Sequence, residues 1–369
     1  MRYKQPIKQI LIATRSSWDR PETRPAVRQN FDRVTKCGTL ALGAEVFASE
    51  TEQKLVPHTC KVKPCPSCGH RATIQWQREQ WRALPDIPYV GIVFTMPDVL
   101  WPIFQKNRHL LHDLPTLGAA VIRQWAKLKY GVCVPIMVIP HTFGGRLNFN
   151  SHLHILVSAG GLQESEGRWV NCLVFDKDMD NDKLMHMWRY AVISYLRAAL
   201  KAQMLTSDSS PQELRAHLKS QYERWWSIDI DYFASKEHFL RYAGRYVRRP
   251  PIAQCRFTKI TDREVRFWSR DKIQKRRINI SYKPEEFVAT LAEHVPDRYQ
   301  HAIRYFGLLA PRSKARTSAA VFVLLGQQKR PSPRRLRWAF SLRRDFGRDP
   351  LIDRLGQPMR WVGRLKPPI

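Results

Sequence analysis

The sequence predicts an α/β (α+β) fold: a sheet flanked by helices, with a small cysteine-bearing module before it and a basic region after it. Three observations lead there. From Tyr89 onward, strand-like and helix-like hydrophobic patterns alternate. Three of the seven cysteines fall within nine residues. Lys plus Arg number 62 against 32 Asp plus Glu, a formal charge of +30 over 369 residues. With 43% hydrophobic and 11% aromatic residues, the chain can bury a sizeable core, which excludes a disordered basic tail protein. Its length suggests two or three domains. The positive excess requires an anionic partner.

Residues 1–85 form the first expected domain. A helix is placed around Arg24 to Lys36, where Val27, Phe31 and Val34 recur at helical spacing, and the cysteine-rich stretch from Cys37 to about Trp81 follows. The turn Leu84-Pro85-Asp86-Ile87-Pro88 marks the boundary. Residues 86–310 read as a layered domain. It has a buried strand at 89–96, helical periodicity over 99–130, strands at 134–141 and 152–158, and a long helix near 182–204. A short strand, Ser227 to Ile230, leads to a helix that Ser235 caps and that carries Tyr242 and Tyr246. Strands at 252–259, 264–269 and 278–283 follow. Residues 311–369 hold 15 Lys or Arg against 3 Asp, with the linker-like run Lys329 to Arg335 inside them. No apolar run approaches the roughly 20 residues of a spanning helix. The stretch Gln9 to Ala13 is too short for a signal-peptide core. The expectation is a cytoplasmic protein with no membrane partner.

The segment His58-Thr59-Cys60-Lys61-Val62-Lys63-Pro64-Cys65-Pro66-Ser67-Cys68-Gly69-His70 is a C-x4-C-x2-C run with a histidine two residues outside each end. Thiolates at x2 spacing on a tight turn can meet a tetrahedral zinc at about 2.3 Å. Such an ion would be structural, stapling a module with little core of its own. Cys60, Cys65 and Cys68 supply three ligands. His58 is taken as the fourth, with His70 and Cys37 as the other candidates.

His152-Leu153-His154 places two imidazoles on one face of a strand, about 6.6 Å apart along it. His141 ends the preceding strand. If residues 142–151 connect the two strands, antiparallel pairing sets His141 opposite His152, and three imidazoles converge on one divalent ion. A two-residue turn at Gly144-Gly145 would instead pair His141 with Asn148. His238, or an acid or amide, then becomes the third ligand.

Tyr242 and Tyr246, at i and i+4 on one helix, bring two phenols to one site. Arg241, Arg245, Arg248 and Arg249 interleave with them and suit a phosphate backbone. Next to arginine and a metal that polarises a phosphodiester, a phenol can attack phosphorus.

In their order along the chain, these features resemble the two-tyrosine HUH transposases of the insertion-sequence-ninety-one family. The order is the cysteine knuckle, Val93-Phe94-Thr95-Met96-Pro97, His141-Thr142-Phe143-Gly144 leading to His152-Leu153-His154, and Tyr242-x-x-Arg245-Tyr246. The likeness covers most of the chain and implies an HUH-type antiparallel sheet flanked by helices. It also implies a nickase and ligase of single-stranded or hairpin DNA ends, with Tyr242 and Tyr246 as nucleophiles that take 5′-phosphates in turn. His152 and His154 would hold Mg²⁺ or Mn²⁺, and His141 is carried over from the similar spacing in three-histidine relaxases. Two departures stand out. Family members usually have a CxxC pair where this chain reads Val46 to Glu52, and many have C-terminal cysteines where it reads Asp349 to Gly356. Rival readings are a plasmid relaxase or rolling-circle replication initiator, a non-catalytic zinc DNA-binding regulator, and an RNA-binding protein of the zinc-ribbon type.

Overall fold

The computed structural model describes residues 5–172, 177–271, 274–331, 338–347 and 349–368. In chain order, the N-terminal region runs through α1 (Pro6–Ala13), α2 (Arg15–Trp18), α3 (Pro25–Thr35), β1 (Ala44–Ala48), β2 (Gln53–Pro57) and α4 (Pro66–Ala83). The middle holds β3 (Tyr89–Phe94), α5 (Trp101–Lys106), α6 (Leu114–Tyr130), β4 (Pro135–Phe143), β5 (Phe149–Ser158), β6 (Gly161–Gln163), β7 (Arg168–Val170) and α7 (Lys177–Lys201). It continues through α8 (Pro211–Ser220), β8 (Ile228–Phe233) and α9 (Lys236–Ala243). The remainder comprises β9 (Phe257–Ile260), β10 (Val265–Arg270), β11 (Arg277–Tyr282), α10 (Pro284–Glu293), β12 (Arg304–Gly307), α11 (Pro311–Leu324), α12 (Trp338–Phe346) and β13 (Arg360–Leu365). No helix among the described residues is long and apolar enough to cross a membrane.

Two compact units divide the chain. One comprises Met1–Trp76, Arg248–Arg298 and Ser332–Ile369; the other comprises Gln77–Val247 and Tyr299–Pro331. This differs from the three consecutive segments that composition suggested, for two physical reasons. First, β13 pairs antiparallel with β1, so the C-terminal end belongs to the N-terminal module. Second, the Leu84–Pro88 turn is no linker. The buried Lys236 ammonium donates to the carbonyls of Trp81 and Leu84 and pairs with Asp86 at 2.8 Å, while Gln327 exchanges two hydrogen bonds with the Asp86 backbone. Of the basic run Lys329 to Arg335, Ser332 onward lies outside the described residues.

In the first unit, α3 buries Val27, Phe31 and Val34 as its periodicity required, and Phe31 meets Trp18 edge-on. Strands β11-β10-β9 form an antiparallel sheet whose Phe257 and Phe267 pack against Phe287 of α10.

In the second unit, the strands run in the order β12-β4-β5-β3-β8, every pair antiparallel. Alternation divides each strand between two faces. Val90, Ile92 and Phe94 of β3, with Leu153, Ile155 and Val157 of β5, enter the main core with Ile122 of α6 and Trp188 of α7. A Cβ on Gly118 of α6 would stand 2.6 Å from Leu153 Cδ1, so this glycine sets how closely helix and sheet approach. The alternate residues face the other way, where Tyr89 stacks on Phe239 of α9 at 4.3 Å.

Candidate functional site

The β4–β5 hairpin answers the question of register. Its loop is tight: Gly144 N–H donates to Asn148 O, and Leu147, buried, takes a left-handed φ of 65°. Strands β4 and β5 therefore extend through residues the sequence reading left to a loop. A register shift between His141 and Phe143 then adds one residue on β5, and His141 pairs directly with His152. This β-bulge aims a side chain at the site. The ring nitrogens of His141, His152 and His154 converge within 4.8 Å of one another. His141 and His154 are buried, at 3% and 5% exposure, and His152 is half-buried.

Two of these rings are oriented by backbone carbonyls. His141 Nε2 lies 2.9 Å from Tyr246 O, and His152 Nδ1 lies 2.9 Å from Asn150 O. A carbonyl only accepts, so each of these nitrogens carries the proton. In the neutral rings, Nδ1 of His141 and Nε2 of His152 keep their lone pairs, the arrangement metal-binding histidines use. Asn150 also holds a buried Oδ1 that has no hydrogen-bond partner. The donor set of three imidazoles suits a divalent transition-type ion as well as its chemistry requires. His238 lies exposed on α9, apart from this cluster.

Helix α9 starts as expected, with the Ser235 hydroxyl accepting from His238 N–H. It ends earlier than expected, at Ala243, so Tyr246 is not on the helix. Gly244 is the cause. Both its N–H and the Gln77 side-chain amide donate to Leu240 O, and a Cβ there would stand 2.3 Å from Gln77 Nε2. The chain tightens into i→i−3 bonds from Arg245 and Tyr246. The phenols still meet, their ring centroids 4.9 Å apart. Tyr246 stacks on His154 at 3.7 Å.

Tyr242 is 5% exposed. Burial pushes its hydroxyl well above the usual tyrosine value, helped by Tyr246 and Asp231 and opposed by Arg245, whose guanidinium lies 5.1 Å from its ring. Gly91, in the middle of β3, makes room for this ring: a Cβ would lie 2.8 Å from Tyr242 Cε1. The sequence reading missed Gly91, although a glycine inside an apolar strand signals close approach.

The four arginines are divided between the two units. Arg241 and Arg245 accompany the tyrosines in the second unit, and Arg241 pairs with Glu237 at 2.7 Å on the surface. Arg248 and Arg249 fall in the first unit, Arg248 exposed with a left-handed φ of 55°.

In the first unit, four sulfurs cluster: Cys37 after α3, Cys60 after β2, and Cys65 and Cys68 at the start of α4. The Cys37–Cys65, Cys37–Cys68 and Cys60–Cys68 Sγ distances are 3.8, 3.8 and 3.6 Å. A sulfur tetrahedron around zinc at about 2.3 Å has edges of about 3.8 Å, so the set fits the ion. Backbone N–H groups of Cys60 and Lys61 donate to Cys37 and Cys68. Contacts from Cys60 and Cys65 bring Cys37 down to about 7, and those from Cys37, Cys60 and Cys65 lower Cys68 as well. His58 is not the fourth member. Its ring bonds to Leu42 O and Glu45 Oε1, each at 3.0 Å, because Gly43 O fixes its backbone on the β1 side. Cys37 takes that place, and His70 lies exposed on α4.

Comparison with known proteins agrees with both clusters. A family model described as "Transposase zinc-binding domain" matches residues 10–96, and one described as "Putative transposase" matches residues 136–317. The chain is 33% identical over 300 residues to the transposase for insertion sequence element IS801 of Pseudomonas savastanoi pv. phaseolicola, covering 77% of this chain and 70% of that one. It is 27% identical over 321 residues to the "Putative transposase y4qJ" of Sinorhizobium fredii (strain NBRC 101917 / NGR234), covering 84% and 80%. No solved structure matches. With a relative this similar over this much of both chains, the protein belongs to the insertion-sequence-ninety-one family of transposases and carries their N-terminal zinc-binding module.

Proposed function

We propose that this transposase cuts and rejoins single-stranded DNA at its element's ends through 5′-phosphotyrosine intermediates, in a rolling-circle mode. The observation that carries the reading is the convergence of three histidines and two tyrosines, with Tyr246 stacked on His154 and its carbonyl on His141. A Mg²⁺ or Mn²⁺ ion held by His141, His152 and His154 would polarise the scissile phosphate. A tyrosine oxygen bonds to phosphorus, the P–O3′ bond breaks, and the 3′-oxygen leaves as a hydroxyl with the proton that the phenol gives up. The second phenol, 4.9 Å away, can take a second strand without the first being reset. Arg241 and Arg245 hold the flanking phosphates beside the tyrosines, and Arg248 and Arg249 of the first unit add to its DNA-binding charge. Cys37, Cys60, Cys65 and Cys68 hold structural zinc. The domain roles follow: the first unit, which carries the four cysteines, binds zinc and DNA, and the second unit, which carries the histidines and tyrosines, performs the chemistry.

The test is incubation with labelled single-stranded DNA from the element's ends and Mn²⁺, followed by a denaturing gel. The wild type is expected to form a covalent adduct. His152→Ala with His154→Ala should bind DNA and form none. An adduct that persists in that variant would contradict the role of the histidines, and none in a wild type that binds would favour the non-catalytic regulator.

A further inference from the structure

We infer that a pocket at the histidine end of the second unit's sheet holds one unpaired nucleobase of single-stranded DNA, with Trp225 as the surface it stacks on. The inference rests on the reading of the protein as a single-strand DNA transposase. The pocket has a volume of about 450 Å³, within the roughly 300–1,000 Å³ of small-molecule sites. One wall is Thr95-Met96-Pro97, where the chain leaves β3; the other is Arg224 to Ser227, where it enters β8. Phe94, just before the pocket, pairs with Leu153, the residue between His152 and His154. The pocket therefore opens at the same end of the sheet as the histidines.

The walls are fixed by hydrogen bonds that leave the pocket formed before anything binds. Thr95 donates through N–H and Oγ1 to Ser227 O, at 3.3 and 2.6 Å. Trp188 donates to Thr95 O, Trp101 to Met96 O, and Arg189 to Arg224 O. A preformed site spends little binding energy on ordering.

Two adjacent tryptophans supply the chemistry. Trp225 is 64% exposed and lines the pocket, so its indole face is open to a ligand. Trp226 is 1% exposed, and its indole N–H is a buried donor without a hydrogen-bond partner. Buried donors are normally satisfied, so this one is short of an acceptor, and Trp226 lines the pocket. A nucleobase offers both halves, a π face for Trp225 and carbonyl or ring-nitrogen acceptors on its edge for Trp226. Its attached phosphate carries the charge that Arg224 and a +30 chain attract. An apolar peptide side chain would match the face and leave the N–H unpaired.

The test compares binding of an oligo-dT strand of about twenty nucleotides with an abasic strand of the same length, by fluorescence anisotropy at fixed salt. Wild type, Trp225→Ala and Trp225→Phe are compared, with circular dichroism to confirm that each is folded. Trp225→Ala is expected to bind oligo-dT about 5- to 100-fold more weakly, the span of base–aromatic stacking, and to bind the abasic strand as wild type does. Trp225→Phe should recover most of the loss. Equal affinity of Trp225→Ala and wild type for oligo-dT overturns the inference, and so does an equal loss on both strands. Failure of the phosphotyrosine reading would look different: no adduct in a wild type that still prefers oligo-dT.

Discussion

Tyr242 is almost wholly buried and its hydroxyl is held above the ordinary tyrosine value, whereas Tyr246 is half-buried and lies against His154. In the proposed chemistry the two phenols would be unequal nucleophiles, with Tyr246 the one placed to act first. Tyr246→Phe should lower the initial rate of adduct formation by about 10²-fold, the low end of the span for single catalytic groups, and Tyr242→Phe by less. In Tyr246→Phe, the remaining adduct depends on Tyr242. Because that phenol is raised, its deprotonated share is small at neutral pH and grows as pH rises, so the adduct rate should climb from pH 7 towards about 10. A flat profile would place the rate-limiting step elsewhere. Gly91→Ala should push the Tyr242 ring from its seat and reduce the same Tyr242-dependent adduct, measured in the Tyr246→Phe background. The motif residues were legible through their combination and its resemblance to a known family, since neither HxH nor Tyr-x-x-Arg-Tyr alone is set apart from core residues by its spacing. Gly91 acts through an empty volume, which spacing does not record.

Among the elements, helix α3, the strands around the histidines and the Ser235 cap follow from periodicity and capping chemistry. The end of α9 and the β4–β5 bulge do not, since each depends on a contact from far along the chain or across a strand. The two departures from the family's cysteine pattern meet in space. Ser49 and Thr51 donate to Asp353 Oδ2, at 2.6 and 2.9 Å, and Arg354 N–H donates to Glu52. Asp353 Oδ1 accepts from Leu355 and Gln357 N–H groups, closing a small turn around the carboxylate. Hydrogen bonding, first from Ser49, lowers Asp353 to about 2. A depressed carboxylate stabilises the fold above its unfolded value of about 3.9, and that contribution is lost as pH falls towards 2. The melting temperatures of wild type and Asp353→Asn should therefore differ at pH 6 and converge as the pH nears about 2. A constant difference across this range would contradict the carboxylate's role.

For the whole molecule, the alternation of strand and helix patterns pointed to the mixed fold, and the charge, a property of the chain as a sum, points to an anionic partner. They could not show that β13 returns to β1, because strand partners 300 residues apart leave no local trace. The +30 charge predicts DNA affinity that falls steeply with salt, with a log–log slope several units negative. A slope near zero would show that the charge lies away from the DNA. The module should hold one zinc through Cys37, so metal analysis is expected to find about one equivalent in wild type and His58→Ala and much less in Cys37→Ser. The reverse pattern would restore His58 as the ligand.

The most direct test of the central claim is the covalent adduct on single-stranded DNA from the element's own ends, compared across wild type, Tyr242→Phe, Tyr246→Phe and the double variant. The account predicts an adduct in the wild type and in both single variants, and none in the double variant, with DNA binding retained throughout. An adduct of unchanged yield in the double variant would contradict it, because the nucleophile would then lie outside the pair of tyrosines that the histidines face.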